Sequence, residues 1–262
     1  MNSEHLHQVF IVMAILSASM VVLIPVFARR GSKPQEQVVR RKERTITFSG
    51  YQWLVTEMSL DTGATSLASH DKSSVWIDYV GHLHLKCRRD GQTWRTAEVV
   101  CLESFGHGRY EIRVEIPGQR LSPFCVFRAF TFDAAREYSH REIDLQLGGD
   151  STAGRSSNAR YGIHPIDDAG HRFRFRHPDM EQTTHSFEWT PKSVWFQSFA
   201  GHRSFVDSPD QVIAFYGFEG DGIPPAGDER MHLRFDFSAQ QPPANLREIE
   251  IVVCNFSFTP MT

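Results

Sequence analysis

Apolar and polar residues alternate along most of this chain, which is the pattern of β-strands that bury one face. The alternation is clearest at residues 96–101, 109–116 and 142–147. Turn dipeptides such as Asp90-Gly91 and Pro117-Gly118 follow several of these runs. Outside residues 9–28, no segment keeps a helical period over three turns. The pattern therefore predicts an all-β fold, an antiparallel β-sandwich or jelly roll.

Further strand-like runs are separated by turns at fairly regular spacing. They cover residues 45–48, 74–80, 82–87, 125–132, 172–176, 185–189, 193–199, 211–216, 231–237 and 248–258. Residues 150–158 and 217–228 are rich in Gly, Ser or Pro and are predicted to be loops, which could rim a cleft or simply connect strands. The 262 residues, 40% of them hydrophobic, are sufficient for one full core.

Charge and cysteine content narrow the class of protein. The formal net charge is -3, and outside the N-terminal region the basic residues are not concentrated on one folded segment, so nothing indicates a nucleic-acid-binding protein. None of the four cysteines is spaced as CxxC, which disfavours a zinc ribbon or a thioredoxin-type site. Cys87 and Cys101 could pair in an oxidising compartment; the alternative is four buried thiols.

An apolar segment without charge runs from Val9 to Ala28, and a basic stretch follows it. Its roughly 20 residues are enough to span a bilayer. It could be a signal peptide, since Val26 and Ala28 are small enough to precede a cleavage site, or an uncleaved anchor. A buried helix is disfavoured because the segment is uniformly apolar. We predict three parts: a signal peptide or membrane anchor at 1–28, a basic linker at 29–44 and a β-sandwich domain at 45–262.

The strand at residues 142–147 carries the candidate chemistry. Glu142, Asp144 and Gln146 share one of its faces and aliphatic residues occupy the other. Retaining glycoside hydrolysis needs two carboxyl groups, a nucleophile and an acid/base. Residues i and i+4 of a strand lie roughly 13 Å apart, a gap that two long acidic side chains can lean across. The amide of Gln146 cannot donate a proton as an acid. Taken alone, the pattern also fits a solvated outer face.

Five motifs along the chain resemble those of one family, in the same order. They are FSGYQW at 48–53, WIDYVGHLHL at 76–85, EVVCLESFGHGRYE at 98–111, HSFEWTPKSV at 185–194 and IEIVVCNFSFTP at 249–260. Together they resemble the bacterial branch of glycoside hydrolase family 16, which includes lichenases, laminarinases and related β-glucanases. The resemblance covers residues 48–260 and implies a concanavalin A-like jelly roll.

The resemblance assigns roles along the central strand. The family pattern there is E-I-D-x-E, which makes Glu142 the nucleophile and Asp144 its assistant, and places Gln146 at the acid/base position. His107 also stands where the family usually has a tyrosine.

Four aromatic residues are candidates for stacking against sugar. They are Trp53, Trp76, Phe130 and Phe132, and for each of them a place in the core is the alternative.

Three functions remain open. The first is hydrolysis or transglycosylation of β-glycans, weak or absent unless another carboxyl, such as Glu98, Asp133 or Glu137, replaces the missing acid. The second is a non-catalytic carbohydrate-binding or envelope-associated protein that keeps the glycan cleft. The third is a structural sandwich without a ligand. If the first holds, Gln146→Glu is expected to raise activity.

The expected partners are a β-glycan polysaccharide or oligosaccharide and, if residues 9–28 remain uncleaved, a membrane. No cofactor is expected, and His140 and His185 lack the spacing of metal ligands. The resemblance implies that a structural calcium ion is possible, although the sequence does not place its ligands. Access to glycans calls for an exported domain, secreted or anchored outside the membrane. The basic residues after the apolar segment would instead place the domain in the cytoplasm, so the orientation stays open.

Overall fold

The structure, a computed structural model, describes most of the predicted sandwich domain. The described residues are 44–56, 68–70, 72–91, 93–118, 120–149, 157–205, 207–238 and 247–261. The predicted signal peptide or anchor at 1–28 lies outside them, as do residues 29–43 of the predicted linker and residues 150–156 of the predicted loop.

The described part of the chain contains sixteen strands. They are β1 (Arg44–Phe48), β2 (Tyr51–Val55), β3 (Ala68–His70), β4 (Val75–Ile77), β5 (Leu83–Asp90), β6 (Thr93–Cys101), β7 (Gly108–Glu115), β8 (Cys125–Phe132), β9 (Ile143–Gly148), β10 (Ala159–Ile163), β11 (Arg172–Phe175), β12 (Gln182–Trp189), β13 (Ser193–Ala200), β14 (Val212–Glu219), β15 (Arg230–Phe237) and β16 (Ile249–Pro260). Every pairing between them is antiparallel except that of β3 with β6.

The strands form one hydrogen-bonded path that doubles back into two layers. Its order is β11-β10-β9-β8-β15-β6-β5-β16-β7-β12-β13-β14. We call β11, β10, β9, β8, β15, β6 and the attached β2 the front sheet; β4, β5, β16, β7, β12, β13 and β14 form the back sheet. The two sheets join through β5 and β6, which pair only near their hairpin, between Arg88↔Arg95 and Asp90↔Thr93. This two-layer arrangement confirms the predicted jelly-roll β-sandwich.

The core fills the space between the two sheets. Ile143, Leu145 and Leu147 of β9 are buried there, as the alternation predicted. Across the layers, the Tyr161 ring of β10 stacks on Phe196 of β13 with ring centroids 4.7 Å apart. Burial of such aromatic surface is the main stabilising contribution to a sandwich of this kind.

The described residues include three short 3-10 helices, Lys72–Ser74, Arg136–Arg141 and Pro209–Gln211, and no α-helix. None of the described helices has the length and apolar character needed to cross a membrane. The four cysteines are free thiols, and Cys87, Cys101 and Cys125 are buried. The possible pairing of Cys87 with Cys101 is therefore not formed.

Two buried histidines lie against each other, with ring centroids 5.7 Å apart. His185 of β12 bonds through its two ring nitrogens to the hydroxyls of Ser198 at 2.7 Å and Thr183 at 2.9 Å. Burial lowers the pKa of His177 to about 4 and holds the pKa of His185 well below its ordinary value. Both rings are therefore neutral in the folded protein near neutral pH.

Candidate functional site

The three polar residues of the central strand lie on the outer face of the front sheet. Asp144 and Gln146 belong to β9, and Glu142 immediately precedes it. They do not form a solvated surface, because Asp144 is 0% exposed and Glu142 is 8% exposed. A buried carboxylate needs a charged or hydrogen-bonding partner, since burial without one is costly.

Two arginines on the neighbouring strands supply these partners. Arg128 of β8 donates through Nη2 to Glu142 Oε1 and, at 3.1 Å, to Asp144 Oδ2. Arg160 of β10 donates through Nη2 to the same Asp144 oxygen at 2.9 Å. Burial alone would raise the pKa of Asp144, but the charges of Arg128 and Arg160 more than offset it and hold that pKa below its ordinary value. Asp144 is therefore an ionised anchor for both guanidinium groups.

Gln146 lies between the same two arginines. In the strand register it is directly opposite Arg128 on one side and Arg160 on the other. Its amide nitrogen donates to the carbonyl of Gly148 at 3.1 Å. A carboxyl group here would face two positive charges, which favour its ionised form. Both the residue and its surroundings are therefore unsuited to donating a proton.

His164 completes the group around Glu142. Its Nε2 lies 3.3 Å from Glu142 Oε1, but this atom has no hydrogen-bond partner in acceptable geometry. Glu142, Asp144 and His164 are the one set of three metal-ligating side chains that come together in the described residues. Calcium takes six to eight oxygen ligands, whereas these carboxylates are held by two guanidinium groups. The set does not fit the structural calcium ion that the resemblance implies.

A strained turn leads into Glu142. Ser139, His140 and Arg141 have φ values of 51°, 60° and 50°, a left-handed conformation uncommon outside glycine. Asp133 holds the turn: its carboxylate pairs with Arg141, and its backbone N–H donates to the His140 carbonyl at 2.8 Å. Asp133 therefore has a structural partner and is not a free proton donor.

The carboxylate of Glu98 also has structural partners. It is buried on β6 and accepts from Arg234 Nη2 at 2.9 Å, His232 at 2.9 Å and Thr56 at 3.0 Å. Neither Glu98 nor Asp133 is free to act as the acid, and Glu137 lies exposed on the 3-10 helix Arg136–Arg141.

Two of the four aromatic candidates lie near the carboxylates. Phe130 of β8 is opposite Asp144 but is only 3% exposed. The guanidinium groups of Arg128 and Arg234 lie 4.5 Å and 5.4 Å from its ring centroid. Phe132 is half-buried, and its ring stacks on His140 at 4.7 Å. Phe130 therefore supports the arginines through cation–π contacts instead of offering an open face to a sugar.

The structure does not bring Trp53 and Trp76 to this face, which corrects the expectation that they stack on sugar there. Trp53 of β2 is fully buried in the core, with its ring edge against Phe256 at 5.3 Å. Trp76 belongs to β4 of the back sheet and stacks on His84 at 4.8 Å. The core alternative is correct for Trp53, because its position on β2 turns its side chain inward.

Neither arginine was predicted from the sequence as part of the site. Arg160 lies on β10, a strand that was not predicted because it follows the Ser- and Gly-rich residues 150–158. Arg128 lies within the predicted strand 125–132, where it is the one charged residue among apolar neighbours. That isolated charge was an available signal, because a charge on a half-buried strand requires a partner.

Gly162 leaves the space that Asp144 occupies, and filling it is expected to destabilise the protein. A Cβ atom at Gly162 of β10 would lie 2.0 Å from Asp144 Oδ1 and 2.6 Å from Ile166 Cδ1. We expect Gly162→Ala to lower the free energy of unfolding by about 1–3 kcal/mol through overpacking, measured by urea denaturation. The loss in Gly162→Ala/Asp144→Ala should be smaller than the sum of the two single losses. Equal stability of Gly162→Ala and the wild type would contradict this account of the site.

Comparison with known proteins places this two-layer architecture in a known class. No protein-family model matches the sequence, and no curated protein matches it. A prokaryotic β-1,3-1,4-glucanase (lichenase) from a mouse hindgut metagenome is 14% identical, with a TM-score of 0.57 over 84% of this chain and 100% of the enzyme. A Bacteroides ovatus family 16 enzyme in complex with a mixed-linkage glucan product is 12% identical, with a TM-score of 0.56 over 79% of this chain and 94% of that one.

A third solved structure also has this fold. It is an immunostimulatory antigen and pseudo β-1,3-glucanase of Mycobacterium tuberculosis, 16% identical, with a TM-score of 0.56 over 77% of this chain and 88% of that one. The protein thus has the fold of the family 16 glucanases, as its motifs predicted. At these identities the likeness concerns the fold alone.

Proposed function

We propose that this protein binds β-glycans on the outer face of its front sheet and hydrolyses them weakly or not at all. The observation that carries the proposal is the position of Gln146 between Arg128 and Arg160. Retaining hydrolysis requires a group there that gives a proton to the leaving oxygen. Instead, the site has an amide and two permanent positive charges.

The state of Glu142 supports the same proposal. A glycosidase nucleophile must direct a carboxylate oxygen at the anomeric carbon. Here Arg128 donates to Oε1 of Glu142, which withdraws electron density from the carboxylate. Glu142 and Asp144 act in this proposal as positioning residues that fix the arginines.

The fold supports glycan binding over a purely structural role. One enzyme with the same architecture is solved with a bound glucan product, and another protein is described as a pseudo β-1,3-glucanase. Retention of the carboxylate pair with an amide at position 146 agrees with a protein that keeps a glycan site and hydrolyses weakly or not at all.

Gln146→Glu is expected to leave hydrolysis at background, which reverses the expectation from sequence alone. A general acid needs a raised pKa, whereas the two guanidinium groups would lower the pKa of a new carboxyl. The variant should therefore not recover the about 10²–10⁴-fold that a general acid contributes. The measurement is reducing-sugar release from laminarin and from mixed-linkage β-glucan by wild type and variant.

An activated aryl β-glycoside tests whether Glu142 can still act as a nucleophile, because the leaving group of this substrate departs without protonation. Glu142→Ala is the matched control, since it removes the nucleophile. Turnover of the aryl glycoside that disappears in Glu142→Ala would mean that the nucleophile works despite Arg128. Robust wild-type cleavage of either polysaccharide that disappears in Glu142→Ala would overturn the proposal.

A further inference from the structure

A row of arginines crosses the front sheet at the level of Gln146. Directly opposed residues on successive strands are Arg174 on β11, Arg160 on β10, Gln146 on β9, Arg128 on β8 and Arg234 on β15. We call these five residues the arginine row. Because directly opposed residues project from the same side of a sheet, all five lie on the outer face. At the usual strand spacing the row extends about 19 Å.

The row brings like charges together. Arg160 is directly opposite Arg174, and Arg128 is directly opposite Arg234. Opposed like charges destabilise an antiparallel pair. Departures of this kind from the rules of stability are typical of functional sites. The row is therefore a candidate for a site at which positive charge is used.

Three members of the row combine a fixed position with open donors. The side chains of Arg128, Arg160 and Arg234 are 21%, 22% and 24% exposed. Carboxylates hold Arg128 and Arg234 through Nε and Nη2, and Asp144 holds Arg160 through Nη2. No hydrogen bond between described residues uses their Nη1 atoms. Each guanidinium is thus anchored on one side and can still donate from the other.

The surroundings of the row favour an anionic ligand over a neutral one. A neutral sugar is held largely by apolar stacking and by hydrogen bonds, but Phe130 is covered by the guanidinium groups of Arg128 and Arg234. The planar fork of an arginine matches the oxygens of a carboxylate or a sulfate, with which it forms strong bidentate contacts.

We propose that the arginine row selects acidic glycans, whose carboxylate or sulfate groups bind Arg128, Arg160 and Arg234. The inference rests on the proposed function, since it names the class of glycan that the same face takes. A chain that crosses the strands along the row passes over Gln146, whose amide can hydrogen-bond a sugar without adding negative charge. A glutamate at this position would repel the same ligand.

Three forms of one glucan test this selection by isothermal titration calorimetry. The probes are laminarin, laminarin oxidised to carboxylates at C6, and sulfated laminarin, which share one backbone and differ in charge. We expect at least one acidic form to bind about tenfold or more tightly than laminarin, and Arg160→Gln to abolish this difference. The acidic form with the higher affinity identifies the preferred anion.

Two variants separate specific recognition from charge attraction. Arg109→Gln makes the same charge change on the back sheet, where Arg109 is paired with Glu111 at 3.4 Å, and it should bind like the wild type. Arg160→Lys keeps the charge but loses the fork, and we expect weakening close to that of Arg160→Gln. Thermal melting of each variant establishes that it is folded, and Arg234→Gln replaces Arg160→Gln if the latter does not fold.

Three results would count against the inference, and they differ in what they leave standing. Equal binding of all three glucans, unchanged in Arg160→Gln, would overturn it and leave glycan binding intact. Equal weakening by Arg109→Gln and Arg160→Gln would reduce the effect to non-specific attraction. Failure to bind any of the three would overturn both the selection and the proposed function.

Discussion

Replacing Arg128 with methionine is expected to lower the free energy of unfolding by about 3–5 kcal/mol, the usual cost of removing one partner from a buried ion pair. Among the described residues, Arg128 is the one arginine that forms ion pairs with both Glu142 and Asp144. Its loss would leave Glu142 buried without its guanidinium partner, while Asp144 would keep Arg160. Methionine preserves much of the apolar stem over Phe130, so the loss of unfolding free energy reflects the missing ion pairs and not lost packing. Urea denaturation followed by tryptophan fluorescence measures it.

A matched control separates this effect from the loss of any arginine. Arg172 pairs with Asp167 in an exposed ion pair, with side chains 34% and 87% exposed. Arg172→Met should cost less than about 1 kcal/mol. Adding Glu142→Gln to Arg128→Met should recover part of the stability, because an amide is less costly to bury than a charge. Equal losses in Arg128→Met and Arg172→Met would refute a buried charge network.

The protein is also expected to lose stability as the pH falls from about 6.5 to about 4. An unfolded histidine titrates near pH 6.5, while burial lowers the pKa of His177 to about 4. In this window the unfolded chain binds a proton that the folded protein does not, so falling pH favours unfolding. His177 alone accounts for about 3 kcal/mol over the window. His185, whose pKa is also lowered by burial, acts in the same direction.

His177→Gln tests this assignment, because glutamine does not titrate and leaves the backbone bonds of residue 177 to Asn158 in place. The free energy of unfolding should be measured at several pH values. Between about pH 6.5 and about pH 4, the variant should lose about 3 kcal/mol less of it than the wild type. Parallel curves would mean that other groups govern the acid sensitivity. Asp144 acts in a different window: its lowered pKa supports stability above about pH 4, and this support is lost in stronger acid.

The strand pattern was predictable wherever one face is buried and the other is polar. The predicted strand 125–132 matches β8 to the residue, and 142–147 matches β9 within one residue. The predicted strand 74–80 was too long: a 3-10 helix covers Lys72–Ser74, and β4 ends at Ile77. The side chain of Asp78 accepts backbone hydrogen bonds from Val80 and His82, which turns the chain there.

The sequence predicted which site residues share a face of one strand, but not which residues lie beside them on the neighbouring strands. The alternation correctly placed Asp144 and Gln146 on one face, because that property belongs to a single strand. The partners of these residues come from β8 and β10, and a lone sequence does not contain the register that makes Arg128 and Arg160 neighbours of Gln146. The amide at position 146 could therefore be read from one residue, whereas the ion pairs of Glu98, Asp133 and Asp144 required the structure.

The shared ion pairs around Asp144 also determine which single substitutions could change the activity of this protein. On the proposed function, a change to efficient hydrolysis would need an acid at position 146 and the removal of at least one flanking arginine. Gln146→Glu as the first step would place a carboxylate between two cations. Removal of Arg128 as the first step would lower the free energy of unfolding. Because residues within one charge network are strongly epistatic, neither first step is expected to yield activity. On the proposed function, single substitutions can therefore change the ligand of this face more easily than they can introduce turnover.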